Sequence, residues 1–370
     1  MQIKFPTCIV LFLILLVLLS TCADTEDHFF ESKNLNQELQ IKKIDVFKLQ
    51  KEDSLSDKKI GRIRVGFFKK HPSKNILVFY DEIFKQLLIT RDDKIISIIG
   101  SKGRGPKEFI NVSSFDFNQK GHLVIYDSTQ QLVKIFNLSG ALLESFKIDP
   151  SKQFAITARY LFPIQEKYLF GVIQREYLAN LDKAWESGLI GSYNKAGNLI
   201  DSFGKYDSYL KSVKHYNVLP VINVDLDNSL LFSSHGASYR IQIYDLNTRK
   251  RIAYFGYKSY DFKEIDEEVD ARMPNVERLR KTLKQSYTTG VYFTSKYVIL
   301  TFQNLSMEWH TTKNSNAKQY YLAVYDRNTK DFVDEILLPY PLENIIDGKL
   351  YLLENDNPVE YTLGIYELGE

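Results

Sequence analysis

Apolar and polar residues alternate in short runs along most of this chain, and the runs come in sets of four. From position 112 onward the sequence reads VSSFDFNQ, the turn KG, HLVIYDS, a further turn, LVKIFN, the turn SG, and ALLESFKI. Runs of period two bounded by Gly, Asn, Asp or Ser predict antiparallel strands joined by tight turns. This segment therefore reads as a four-stranded meander, with strands A to D. The same order recurs. Candidate B strands are ILVFYD (76–81), HLVIYD (122–127), YLFGVI (168–173), SLLFSS (229–234), YVILTF (297–302) and KLYLLE (349–354). Candidate C strands each end in a turn cue: LLITRDDK, KIFNLSG, GSYNKAG, QIYDLNT, AVYDRNT and GIYELGE. The equivalent turn positions are Arg91, Asn137, Asn194, Asp245, Asp326 and Glu367. Asp and Asn suit them because their side chains bond locally to a turn backbone.

Six meanders of roughly 40 to 60 residues predict an all-β fold, a six-bladed β-propeller of four-stranded antiparallel blades. The last meander runs out of chain after its C strand. An open edge is an invitation to aggregate, and ELQIKKIDVF (38–47) is a spare strand ahead of the first meander. It is expected to pair with the last blade and close the ring, so that 38–370 is one domain. One segment breaks the pattern. DFKEIDEEVDARMPNVERLRKTLKQSY (261–287) is charged and helix-prone, with Val276, Leu279 and Leu283 as an amphipathic stripe. It predicts a helical insertion, about 258–287, between blades 4 and 5. In blade 3, ARYLFPIQ must serve as strand A.

The N-terminus follows a different pattern. An apolar run from Ile9 to Leu19 follows Lys4, and Leu19-Ser20-Thr21-Cys22 resembles a bacterial lipobox. The run is too short for an ordinary membrane span and fits a secretory signal. Residues 1–21 are expected to be a lipoprotein signal peptide, Cys22 the lipid attachment, and 22–37, polar and acidic, a flexible tether. The chain has only 2 cysteines, and Cys8 lies inside the signal, so the mature protein has no internal disulfide to make. Acyl chains on Cys22 anchor a protein to a membrane it does not span. Acids directly after such a cysteine resemble the surface-export signals of Bacteroides-type lipoproteins. A Gram-negative envelope follows as the expected location, at the outer membrane and exposed at the cell surface.

Composition adds little beyond this. The 24 Tyr and 24 Phe against 3 Met favour strands, and a formal net charge of +2 excludes nucleic-acid binding driven by bulk charge. The glycine-rich stretch GSKGRGPKEF (100–109) raises the question of a phosphate-binding loop. Such a loop ends in GK[ST] and opens a helix. Here Pro106 and Lys107 follow Gly105, and a strand follows them. The stretch is therefore expected to be an inter-blade crossing, with Phe109 plugged between blades.

Together the GRGPKEF stretch, the lipobox and the six meanders resemble the 6-bladed β-propeller lipoproteins of Bacteroides-type bacteria, in which a Gly-x-Gly-Pro-x-Glu-Phe segment recurs. Lys107 stands where glycine is more usual. The resemblance covers essentially the mature chain and implies fold and envelope location, but no activity.

In a propeller the D–A and B–C connections share one face, and the A–B and C–D turns share the other. The first face carries everything unusual: GSKGRGPKEF, the insertion, and the B–C loops QREYLANLDKAWES (174–187) and QNLSMEWHTTKNSNAK (303–318). Long loops on a rigid scaffold are where function concentrates. Ligand-binding candidates there are Lys102, Arg104, Arg175, Trp185, His235, Trp309 and His310. Aromatic and basic groups of this kind suit a glycan, peptide or protein ligand, and the leading expectation is a lipid-anchored binding or interaction module. The alternative is a calcium-dependent lactone or ester hydrolase at the channel mouth. Its weak candidates are Asp116, Asn223 and Asp225 as metal ligands, with His235 and His310 approaching across the mouth. No catalytic motif accompanies them: neither HExxH nor G-x-S-x-G is present.

Overall fold

Each of the six meanders forms an antiparallel sheet in the computed structural model. It describes residues 28–30, 39–50, 60–149, 154–174, 188–212, 219–264, 267–269, 273–312, 317–357 and 359–369. Two strands come first, β1 (His28–Phe30) and β2 (Gln40–Gln50). Blade 1 is β3 (Ile63–Lys70), β4 (Leu77–Asp81), β5 (Gln86–Arg91) and β6 (Lys94–Ile99). Blade 2 is β7 (Val112–Phe117), β8 (Leu123–Asp127), β9 (Leu132–Phe136) and β10 (Leu142–Lys147). Blade 3 is β11 (Phe154–Ile164), β12 (Lys167–Gln174), β13 (Ile190–Asn194) and β14 (Leu199–Phe203). Blade 4 is β15 (Pro220–Asp225), β16 (Leu230–His235), β17 (Ile241–Asp245) and β18 (Arg251–Tyr257). Blade 5 is β19 (Ser286–Phe293), β20 (Tyr297–Asn304), β21 (Gln319–Asp326) and β22 (Phe332–Leu338). Blade 6 has β23 (Leu342–Ile346), β24 (Lys349–Asp356) and β25 (Glu360–Gly369), and takes β2 as its fourth, outer strand.

That last pairing closes the ring as the missing D strand requires. β2 runs antiparallel to β25 from Gln40↔Gly369 to Gln50↔Glu360. Inner strands of blades 6 and 1 are stitched together as well. The amide of Gly66 donates to Glu343, Asn344 Nδ2 donates to the Phe68 carbonyl at 3.0 Å, and Lys70 pairs with Asp347. Glu367, aligned with the turn positions of the other units, lies within β25 opposite Lys42 and makes no turn. β1 lies in the segment expected as tether, and pairs parallel to the outer edge of β18.

Apolar side chains collect between blades. Phe79, Phe68 and Leu88 of blade 1 pack on Tyr361 and Leu363 of blade 6, and corresponding clusters fill the other five gaps. Four C strands place a buried hydrophobic-aromatic or hydrophobic-Thr step before the turn: Ile135-Phe136, Ile243-Tyr244, Val324-Tyr325 and Ile89-Thr90. Opposite that step every outer strand carries one extra residue: Ile44, Ile96, Leu143, Ile200, Ile252 and Val333. The turns of blades 2, 4 and 5 are Asx turns. Asn137 accepts from Ser139 and Ala141, Asp245 from Asn247 and Thr248, and Asp326 from Asn328 and Thr329.

The two faces differ as the topology predicts. On the turn face the longest connection is 71–76, whereas the other face carries 100–111, 204–219, 258–285 and 305–318. The described helices all belong to these long connections: α1 (Ser208–Ser212), α2 (Asn275–Thr282) and α3 (Met307–Thr312). Only α2 was expected, and its stripe is not the one read from spacing. Val276 is 65% exposed, while Thr282 faces inward.

Candidate functional site

The glycine-rich connection is built around its own side chains. Gly103 donates to the Phe109 carbonyl, Phe109 to Ser101, and Gly105 to the Glu108 carboxylate at 2.7 Å. A phosphate cradle offers such amides to a ligand; here Glu108 takes that of Gly105, and loop carbonyls take those of Gly103 and Phe109. A side chain at Gly103 would collide with that carboxylate, and one at Gly100, where φ is +88°, with the Phe109 ring. The loop carbonyls face inward too. Lys134 on β9, 1% exposed, donates to the carbonyls of Gly105 at 3.1 Å and Glu108 at 2.5 Å. Burial lowers the Lys134 ammonium despite nearby Asp127 and Glu108. Phe109 is fully buried in the core between blades 1 and 2, against Phe136 at 5.9 Å. Lys102 and Arg104 are left exposed on the outside.

Two aspartates at the ends of B strands position these connections. Asp81 accepts from Ile83 and Phe84 in its own turn and from Gly61, just ahead of β3. Asp127 does the same with Thr129, Gln130 and Ile110. Blade 4 lacks such an aspartate and uses a buried network from the preceding loop. Asp207, 1% exposed, accepts from Ser238 Oγ, from Tyr254 OH at 2.8 Å and from the Tyr209 amide at 2.9 Å. Arg240 lies 3.7 Å from Asp207 and 2.8 Å from Glu264, stacked between the Tyr209 and Tyr239 rings. Burial opposes the Arg240 charge, yet Asp207 and Glu264 hold it above its ordinary value. Thr288 on β19 donates to the Ser238 carbonyl at 2.6 Å. Three connections and one inner strand are thus fixed to one carboxylate and its neighbours.

His235 belongs to this network's underside and not to the surface. It is fully buried, 5.6 Å from the Tyr206 ring, and neither ring nitrogen has a hydrogen-bond partner among the described residues. Burial drives its pKa down to about 4 against the pull of Asp207. The ring is therefore neutral at ordinary pH and inaccessible to a ligand. His310 and Trp309 lie half-buried on α3, where the Lys318 ammonium caps the Trp309 ring at 4.5 Å. No described contact joins His310 to His235. Arg175, Trp185 and Cys22 fall outside the described residues.

The metal-ligand candidates are engaged separately. Asp116 pairs with Lys69 at 2.8 Å. The Asn223 side chain accepts from the Val224 amide. Asp225 sits at the turn face and holds Asn228 and Arg327; burial works against its charge, but these partners leave it below the ordinary carboxylate value. Among the described residues no three His, Cys, Asp or Glu side chains converge on a point.

What the sequence reading missed lies on the inner strands. Strand register slips on five of the six inner strands, at 64–67, Ser113, 157–160, Thr289 and Glu343. Such bulges re-aim side chains. They carry Arg64, Arg159, Tyr160 and Glu343, and Tyr292 follows the bulge on β19. Tyr160 packs against the cores on both sides of blade 4. Burial raises the pKa of Tyr160 and of Tyr292, so both phenols stay neutral. Glu343, 1% exposed, accepts from the Gly66 amide and from Tyr361 OH, and burial raises its pKa to about 8. The signal was present as Arg159 within ARYLFPIQ, the segment expected as strand A of blade 3.

A family model described as a 6-bladed beta-propeller, DUF5128, matches residues 26–338. Among curated proteins there is no match. Two solved structures share the architecture. One is a member of the DUF4221 family from Bacteroides vulgatus, with TM-score 0.66 and 10% identity, covering 90% of this chain and 99% of that one. The other is a Bacteroides fragilis protein to which export is ascribed, with TM-score 0.57 and 15% identity over 93% of this chain and 99% of that one. At such identities the likeness shows the fold alone.

Two outcomes follow from this geometry. Phe109→Ala should cost about 3–5 kcal/mol of stability in urea unfolding, while Lys102→Ala and Arg104→Ala should stay within about 0.5 kcal/mol of the parent. Equal effects at all three positions would reject the plug. His235 has a folded pKa of about 4 against an ordinary 6.5. The unfolded chain therefore takes up a proton that the folded one refuses. Stability should fall as pH drops from about 6.5 towards 4, by up to about 3 kcal/mol for this group. His235→Gln should flatten that part of the pH–stability curve; an unchanged slope would show the ring titrates in the fold.

Proposed function

The chain belongs to the DUF5128 family of six-bladed β-propellers, and from that premise we propose that it is a binding module, holding a glycan, peptide or protein on its long-loop face and the channel that opens there. The observation that carries this reading is the asymmetry between faces. Short turns close one end of the blades, and the long connections with all described helices crowd the other. Tyr260, 99% exposed, and Met307, 58% exposed, stand on this face without apolar cover. Loops on a rigid scaffold are where binding residues concentrate, and these two side chains are available to a ligand there. The hydrolase reading gains nothing from Asp116, Asn223, Asp225 or His235, each engaged in the fold.

We further read the protein as exported and lipid-anchored at Cys22, in the envelope of a Gram-negative bacterium. The apolar run Ile9–Leu19 before Leu19-Ser20-Thr21-Cys22 supports this, and export is ascribed to the Bacteroides fragilis protein of the same fold. Among the described residues no helix is long and apolar enough to cross a membrane.

A glycan and peptide array probed with the purified protein tests the binding reading. At least one ligand class should be retained, and Tyr260→Ala and Trp309→Ala should each weaken it on the order of tenfold. Retention that survives both changes but is lost on altering the turn face would overturn it, as would an array with no retained ligand. Metabolic labelling with a fatty acid tests the anchor. The parent should carry label and fractionate with membranes, and Cys22→Ser should do neither; a labelled variant would reject Cys22 as the attachment point.

A further inference from the structure

The charged side chains of the six inner strands can be followed one at a time. Lys69 is held by Asp116 at 2.8 Å and Lys70 by Asp347. Asp225 is held by Arg327 and Asn228. Glu343 is buried, takes hydrogen bonds from Gly66 and Tyr361, and keeps its proton to about pH 8. Two groups remain, and both are arginines.

Arg64 lies half-buried over the Phe67 ring at 4.0 Å and donates to the Val112 carbonyl at 3.2 Å. Arg159 is exposed, and no carboxylate pairs with it among the described residues. Each sits on a widened bulge, 64–67 on β3 and 157–160 on β11, and β7 is the neighbour of both strands. Burial, reinforced by the charge of Arg159, lowers the Arg64 pKa against the pull of Glu82 and Tyr80. Two guanidinium groups that repel one another in a partly desolvated channel raise the free energy of the empty protein, and an anion between them relieves it. Their flat forks match the two oxygens of a carboxylate or phosphate. Tyr160 and Tyr292, both kept neutral by burial, lie on the same ring of inner strands.

We infer that Arg64 and Arg159 form an anion site in the channel, which grips a carboxylate or phosphate group of the ligand. The inference rests on the binding-module reading and narrows it to acidic ligands.

The test is calorimetric titration of the purified full chain at low ionic strength with sodium benzoate, with inorganic phosphate, and with benzamide as the uncharged control. At least one anion should bind saturably and benzamide should not. Benzoate alone would assign a carboxylate, phosphate alone a phosphoryl group. Arg159→Gln, at an exposed position that leaves the core intact, should weaken binding on the order of tenfold, and Arg64→Gln likewise. Added salt should weaken the parent and leave the double variant unaffected. Absence of saturable binding by either anion, or equal binding by parent and Arg159→Gln, would overturn the inference. An array ligand held equally by parent and Arg159→Gln would remove the anion site while leaving the binding module in place.

Discussion

A ring of blades holds only if its ends meet, and here the whole molecule depends on one antiparallel pairing between the two ends of the propeller. β2 and β25 are joined along eleven residues of β2, from Gln40 to Gln50. Without that pairing blade 6 has three strands and a bare outer edge. The core between blades 6 and 1 then loses Phe47 and Leu49. The inner-strand ties from Gly66 to Glu343 and from Asn344 to Phe68 are short-range and need the blades already adjacent. Closure therefore makes the six cores mutually dependent, although each is assembled from only two neighbouring blades.

On that rigid ring, polar groups do local work that sequence motifs alone misrepresent. The glycines near 103 have the composition of an anion loop, but the chain supplies its own anion in Glu108 and its own cation in Lys134. A loop that satisfies itself this way is a spacer between blades with a hydrophobic pin at Phe109. The network around Asp207 serves the same end for blade 4 by different means. It draws on residues that are far apart in sequence, from Asp207 to Thr288, so no local pattern announces it.

Strands and turns were legible because two-residue periodicity and Asx turns are local properties. All six B strands and five of the six C-strand turns fall where the pattern puts them, and the closing strand follows from counting edges. Helix α2 was legible, but its buried side was not, since helical spacing alone does not say which of two weak stripes meets the blades. His235 looked like a face residue because a histidine at a strand end is ordinarily exposed; its burial depends on Tyr206, a loop residue of the preceding blade connection. Arg64 and Arg159 went unseen for a related reason. Both lie on inner-strand bulges, and a bulge is a property of the pairing between two strands, which neither strand carries alone.

The extra residue on every outer strand has its own consequence. The outer strands face the circumference, and an unpaired outer edge is suited to sheet growth between molecules; on blade 4 that edge is covered by β1. Ile44, Ile96, Leu143, Ile200, Ile252 and Val333 each interrupt the ladder near the turn end of that edge, and the local coil they add spoils its flatness. Bulged rims let copies of the molecule collide edge to edge without zipping into a common sheet.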